Sequence, residues 1–98
     1  MYTLVNVEEM NRKYPSTFHI SERAEREALR AEDYVKLHFN YHSGNCDRMW
    51  VKVLEVLPGP RFKGSLDNDP FFVDEAPKCG DLVEFGPENI ATILDRPN

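Results

Sequence analysis

His38, His42 and Cys46 recur at intervals of four residues, and they are residue types that bind zinc. On a helix this spacing sets all three on one face. On a strand it separates His38 from His42 by about 13 Å. The stretch reads as a strand running into a glycine turn, so a shared metal is not expected. No fourth ligand is evident unless Cys79 folds over the others. Cys46 stands beside Asp47 and Arg48 and would make a thiol nucleophile with His42 as its base. No third group to orient His42 is visible, so a metal-dependent or thiol enzyme on His38, His42 and Cys46 remains an alternative reading.

Residues 66–72 read LDNDPFF and place Asp67, Asn68 and Asp69 in a row. A helix-loop-helix calcium site needs a glycine at the sixth position and a glutamate at the twelfth. Counted from Asp67, those positions hold Phe72 and Lys78. Two carboxylates two residues apart on a strand would share a face and raise each other's pKa. The expected role is a turn, with Asn68 or Asp69 bonding the backbone and Pro70 fixing the exit. Likewise, 58–60 (PGP) and 78–81 (KCGD) read as turns, with a positive φ at Gly80 and Asp81 bonding the turn backbone.

Arg48, Trp50, Lys52, Arg61 and Lys63 are the candidate binding residues. On adjacent strands they would form a basic and aromatic stripe suited to a protein partner, an anion or single-stranded nucleic acid. Trp50, with Lys52, Leu54 and Val56 beside it, makes either a second core layer or an amphipathic contact surface. Core packing is the expected use, because tryptophan is highly buried on average. No Ser-His-Asp set, phosphate-binding loop, dinucleotide fingerprint or zinc-type cysteine pair occurs in the sequence. The expectation is therefore a non-enzymatic domain with no cofactor and no metal.

These residues must be positioned by a small fold. Ninety-eight residues, 41% of them hydrophobic, with one Trp, four Tyr and six Phe, suffice for one domain with one core. The formal charge of −5 makes nucleic acid an unfavoured partner, since such binding depends on Lys and Arg neutralising phosphates. The first residues, MYTLVNVEEMNRKYP, lack a basic region followed by an apolar run. No apolar stretch reaches bilayer length. A cytosolic protein with Cys46 and Cys79 reduced is expected.

Residues 1–20 read as an arm, with a loosely alternating edge strand at 2–7. Residues 21–33 read as a helix, with Ser21 as N-cap, a Glu22–Arg26 pair, an Arg23–Glu27 pair and a thin apolar stripe of Ala24, Ala28, Leu29 and Ala31. From Tyr34 the period becomes two: Val35, Leu37, Phe39 and Tyr41 alternate with Tyr34, Lys36, His38 and Asn40. After the turn at 42–45, residues 48–57 (RMWVKVLEVL) are apolar on both faces and read as the central strand. Phe62, Gly64 and Leu66 form the inward face of a third strand, and 82–85 a last one. Pro87 opens a short helical turn, with Ile90, Ile93 and Leu94 inward. The expected class is α+β: a strongly bent antiparallel sheet or partly open, SH3-like barrel over 34–94, with an N-terminal helix.

Several of these positions resemble a known family. Met49, Trp50, Val51 and Val53, then Phe62, Gly64, Leu66, Asn68 and Pro70, then Gly80, Asp81, Val83, Phe85 and Ile90 are similar to the motifs of the YegJ-like bacterial family of domains of unknown function. The resemblance spans roughly 34–94. The family's usual aromatic ending is replaced here by Ile93-Leu94-Asp95. The resemblance implies a small bacterial or phage-borne domain without established activity. By analogy with neighbouring families it implies a protein-binding role of the immunity or inhibitor kind.

Overall fold

The computed structural model describes residues 2–95. Strand β1 (Tyr2–Leu4) is followed by helices α1 (Val7–Lys13) and α2 (Arg23–Glu27). A meander of β2 (Tyr34–Tyr41), β3 (Cys46–Leu57), β4 (Arg61–Leu66) and β5 (Leu82–Phe85) comes next. A 3₁₀ turn, Pro87–Asn89, leads into β6 (Ile90–Ile93). The strands lie side by side as β1-β2-β3-β4-β5, and β6 returns to β2. One edge of β2 is shared: Phe39 to Tyr41 pair with β1 and Val35 to Leu37 with β6. The result is a small α+β domain whose antiparallel sheet curls into a half-barrel, as expected. No helix among the described residues is long and apolar enough to cross a membrane.

The period-two residues explain the curl. Val35, Leu37, Phe39 and Tyr41 on β2 face the same core as Met49, Val51 and Val53 on β3, Phe62 and Leu66 on β4, and Val83 and Phe85 on β5. Gly64 lies between Val53 and Val83 in register, and it lets the backbones of β3 and β4 approach closely. Tyr34, Lys36, His38, Arg48, Trp50, Lys52, Lys63 and Glu84 alternate with these residues and face outward.

The expectation of two apolar faces on β3 is not met. The pairing with β4 shifts between Val53 and Glu55, a bulge that reverses the sense of alternation. Leu54, unpaired at the bulge, and Val56 are exposed, and Val56, opposite Phe62, no longer shares the face of Trp50. That residue is partly buried and absent from the core cluster, so no second core layer forms behind it. Leu94, expected inward, is exposed, as is Leu82, whereas Ile90 is fully buried.

The helices differ most from the reading above. The arm over 1–20 contains α1, whose start is capped by the Asn6 side chain accepting from the N–H groups of Glu8 and Glu9 at 3.0 and 3.1 Å. Glu8 and Glu9 in its first turn and Arg12 and Lys13 in its last suit the helix dipole. The helix read over 21–33 contracts to five residues. Glu22, not Ser21, is its N-cap, and it makes no side-chain capping bond. Ala24, Ala28 and Ala31 are exposed; the buried side carries Arg26 and Leu29. The Arg23–Glu27 pair forms at 3.0 Å, but Arg26 turns away from Glu22. Its guanidinium donates to Glu8 Oε2 at 2.8 Å, the Pro87 carbonyl at 2.8 Å and the Ser21 carbonyl at 3.1 Å. That clamp joins α1, α2 and the 3₁₀ turn. Beyond α2, Glu32 takes a left-handed φ of 79°. This bend lets Glu32 donate to the Val53 carbonyl while the Asp33 carbonyl accepts from Val53, both at 2.8 Å.

Candidate functional site

Pairing of β2 with β3 sets Lys36 opposite Trp50, Tyr34 opposite Lys52 and His38 opposite Arg48. All six side chains leave the outer face of the sheet. Lys36 Nζ lies 4.8 Å from the centre of the Trp50 ring, within cation–π range. Lys52 Nζ pairs with Glu32 Oε2 at 2.9 Å, and this partner favours the charged ammonium and raises its pKa. Among the described residues neither Lys36 nor Arg48 makes an ion pair.

Beside Trp50 the surface opens into a cleft of about 350 Å³, walled by Tyr34, Trp50, Leu94 and Asp67. Its walls are held by backbone bonds. The Leu94 N–H donates to the Tyr34 carbonyl at 2.9 Å, and the Asp67 N–H donates to the Trp50 carbonyl at 3.0 Å. The Trp50 N–H donates to Asn68 Oδ1 at 2.9 Å. Asn68 thus takes up a strand N–H where β4 has ended, and this is its turn role in LDNDP. Tyr34 and Leu94 also line a second, adjoining hollow with Ala31 and Asp33. The two hollows meet at Tyr34 and Leu94.

All five candidate residues reach the outer face, but they divide into two halves. Trp50 walls the cleft, Lys52 is paired with Glu32, and Arg48 stands opposite His38 at the next pair along. Arg61 pairs with Glu88 at 3.2 Å and with Glu84 at 3.8 Å, and Lys63 lies in register between Glu55 and Glu84. That second half is charge-balanced and presents no basic stripe. Tyr34, Lys36 and Leu94, not singled out from sequence, complete the first half. The signal for Tyr34 and Lys36 was their place on the wet face of the first long strand; their union with Trp50 needed the β2–β3 register.

His38, His42 and Cys46 do not converge. His38 packs its ring edge against Phe18 at 5.7 Å, while His42 sits exposed in the turn after β2. Burial, followed by the nearby Arg48 and Lys36 charges, lowers the pKa of His38. It borders a separate cavity of about 210 Å³ with Val5, Met10, Phe18 and Arg48. Among the described residues no three His, Cys, Asp or Glu side chains stand close enough to hold a metal ion. Cys46 and Cys79 are both free and exposed.

Asp47, read beside Cys46 as part of a thiol site, serves a loop. Its carboxylate accepts from Tyr41 Oη at 2.8 Å and from the N–H groups of Phe71 and Phe72 at 3.3 Å each. Burial and this bond to Asp47 push the Tyr41 hydroxyl well above its ordinary pKa. Gly80 has a φ of 95°, and Asp81 accepts from the Lys78 N–H at 2.8 Å; these are the turn roles expected of them.

No family model, curated protein or solved structure matches this chain.

Proposed function

We propose that this chain is a non-enzymatic protein-binding module whose contact site is the Tyr34–Trp50–Leu94 cleft. In this reading the site takes an acidic segment of a protein partner carrying an aromatic anchor. The single observation that carries it is Lys36 over the Trp50 ring beside an open apolar cleft. Partly exposed aromatics with arginine nearby are the usual anchors of protein interfaces. Uncommitted cations around them favour carboxylates. The return of β6 to β2 immediately after a 3₁₀ turn supports reading the half-barrel as SH3-like. The resemblance to the YegJ-like family supports a cytosolic bacterial or phage setting and an immunity- or inhibitor-like role by analogy.

The test uses a fluorescein-labelled decapeptide with one Phe flanked by Asp and Glu. Trp50 is the only tryptophan, so its emission reports on the cleft. The expected result is a saturable change in Trp50 emission with a Kd on the order of 10–100 µM. A Lys36→Glu/Arg48→Glu variant should weaken binding at least roughly tenfold, the loss of two close charge contacts. Replacing the peptide's Phe by Ser should do the same. Absence of binding overturns the reading. Tighter binding of oligo(dT), falling steeply with salt, would replace it with the nucleic-acid alternative.

A further inference from the structure

A second hollow lies toward the β2–β3 turn. Pairing of Asn40 with Cys46 and of His38 with Arg48 sets four polar side chains at neighbouring positions on the outer face of the sheet. The N-terminal arm covers them. Its Val5, Met10 and Phe18 line a cavity of about 210 Å³ together with those four residues. The arm is fixed there by its own bonds. The Val5 N–H donates to the His38 carbonyl at 3.0 Å, and the Phe18 N–H donates to the Tyr14 carbonyl at 2.8 Å. Asn11 Nδ2 donates to the Phe18 carbonyl at 2.7 Å. The Phe18 ring then meets His38 edge-on, with 5.7 Å between ring centres.

The lining sets the chemistry of an occupant. None of the lining residues is acidic. Asp47, next in the chain to Cys46, turns to the other face and accepts from Tyr41, Phe71 and Phe72. Among the described residues the Arg48 guanidinium makes no ion pair, and neither it nor the Asn40 amide group makes a side-chain hydrogen bond. Both donors are therefore free for a ligand. Burial, then the Arg48 and Lys36 charges, lowers the His38 pKa, so its ring is neutral near pH 7 and offers a further N–H. A guanidinium beside such donors matches a carboxylate, which it holds through two parallel bonds. Val5, Met10 and Phe18 require the rest of the ligand to be apolar. The volume equals that of about seven waters at roughly 30 Å³ each, which suits a single ring or a short branched chain. We infer that this cavity binds a small monocarboxylate with an apolar body, its carboxylate on Arg48 and Asn40 and its body between Met10 and Phe18. Walls already held by the arm's own bonds lose little conformational freedom on binding. The cavity shares no lining residue with the Trp50 cleft, so the inference stands apart from the protein-binding reading.

Benzoate is the probe, titrated into the full chain and followed in a methyl ¹³C–¹H spectrum. Met10 lines the cavity, whereas Met49 is buried in the core on the opposite face and serves as the control. The Met10 methyl is expected to move along a saturating curve while Met49 stays still. A Kd on the order of 0.1–1 mM is expected for a ligand of about nine non-hydrogen atoms. Benzamide has the same shape without the charge, and acetate has the charge without the ring. Each should bind at least roughly tenfold more weakly. Arg48→Met keeps an apolar stem and removes the guanidinium, and it should weaken benzoate to the same degree. A Met10 methyl that stays still at about 10 mM benzoate, benzamide binding as tightly as benzoate, or undiminished binding to a folded Arg48→Met chain would each overturn the inference. So would shifts at Trp50 and Leu94 without any at Met10, which would put benzoate in the other cleft. Benzamide tests the charge on the unaltered chain, so the matter is decided even if Arg48→Met misfolds.

Discussion

Replacing Gly64 by alanine is expected to lower the melting temperature by roughly 15 °C, the equivalent of about 3 kcal/mol in a domain of this size. The cause is space rather than backbone conformation. A Cβ at position 64 would lie 2.5 Å from Val51 Cγ1 and 2.6 Å from the Lys52 carbonyl oxygen. The first contact is with a methyl group that a small shift relieves, but the second is with backbone of the neighbouring strand. Relieving it means separating β3 from β4 in the middle of the sheet, between the buried Val53 and Val83. Gly80 supplies the control. Its φ of 95° strains an alanine, yet nothing lies within 4 Å of an added Cβ. Gly80→Ala should therefore cost only about 1–2 kcal/mol. Thermal melts followed by circular dichroism compare the two. Equal, small losses would show that β3 and β4 do not pack as closely as described.

Glu8→Ala is expected to cost about 3 kcal/mol, whereas Arg23→Ala should cost under about 1 kcal/mol, although both break the Glu8–Arg23 ion pair. Arg23 meets the Glu8 carboxylate at 2.7 and 2.9 Å with its side chain 48% exposed. Arg26 meets it at 2.8 Å with only 4% exposed. Removing Glu8 strands the buried guanidinium of Arg26 without a counter-charge. Removing Arg23 leaves two groups that water can reach. Protonation of Glu8 acts like its removal, which fixes the pH dependence. Hydrogen bonds from Arg23 and then Arg26 outweigh the effect of burial and hold the Glu8 pKa below its ordinary 4.5. A depressed carboxylate contributes fully above the unfolded-state pKa and loses that contribution as pH falls through the folded one. Urea unfolding of the wild type should therefore weaken as pH falls below the ordinary carboxylate range. The Glu8→Ala chain should show a flatter acid limb. Parallel acid limbs would remove Glu8 from the clamp.

The strands were legible because their cause is local. YVKLHFNY alternates apolar and polar side chains, and alternation of that length buries one face whatever the neighbours are. The helices were less legible because the competing causes are tertiary. ERAEREALRAED has strong helix formers throughout, yet the helix stops at Glu27, and the chain then takes a left-handed φ at Glu32 before Asp33 bonds Val53. Helix α1 had a readable signal in Asn6 ahead of Glu8 and Glu9, with Arg12 and Lys13 closing it. The loose alternation of the preceding residues obscured that signal.

The site divides along the same line. Arg48, Trp50 and Lys52 share a face by parity alone, and that follows from spacing. That Arg61 and Lys63 are matched by acids depends on the β4–β5 register and on the position of Glu88 after the sheet, neither of which spacing reveals. The bulge after Val53 likewise removed Val56 from the face of Trp50. The Asp47 clamp joins residues more than twenty positions apart, so nothing near Asp47 in the chain announces it. Asn68 was read as a turn former from its local context, and its bond to the Trp50 N–H places that turn against the wall of the cleft.

The most direct measurement of the central claim is a ¹⁵N–¹H correlation spectrum of the full chain titrated with the acidic, phenylalanine-bearing decapeptide. The indole N–H of Trp50 and the amides of Tyr34, Lys36 and Leu94 are expected to move together along one saturating curve, while Lys63 and Glu84 stay still. An unchanged spectrum, or shifts gathered around Arg61, Lys63 and Glu84 with Trp50 unmoved, would contradict it.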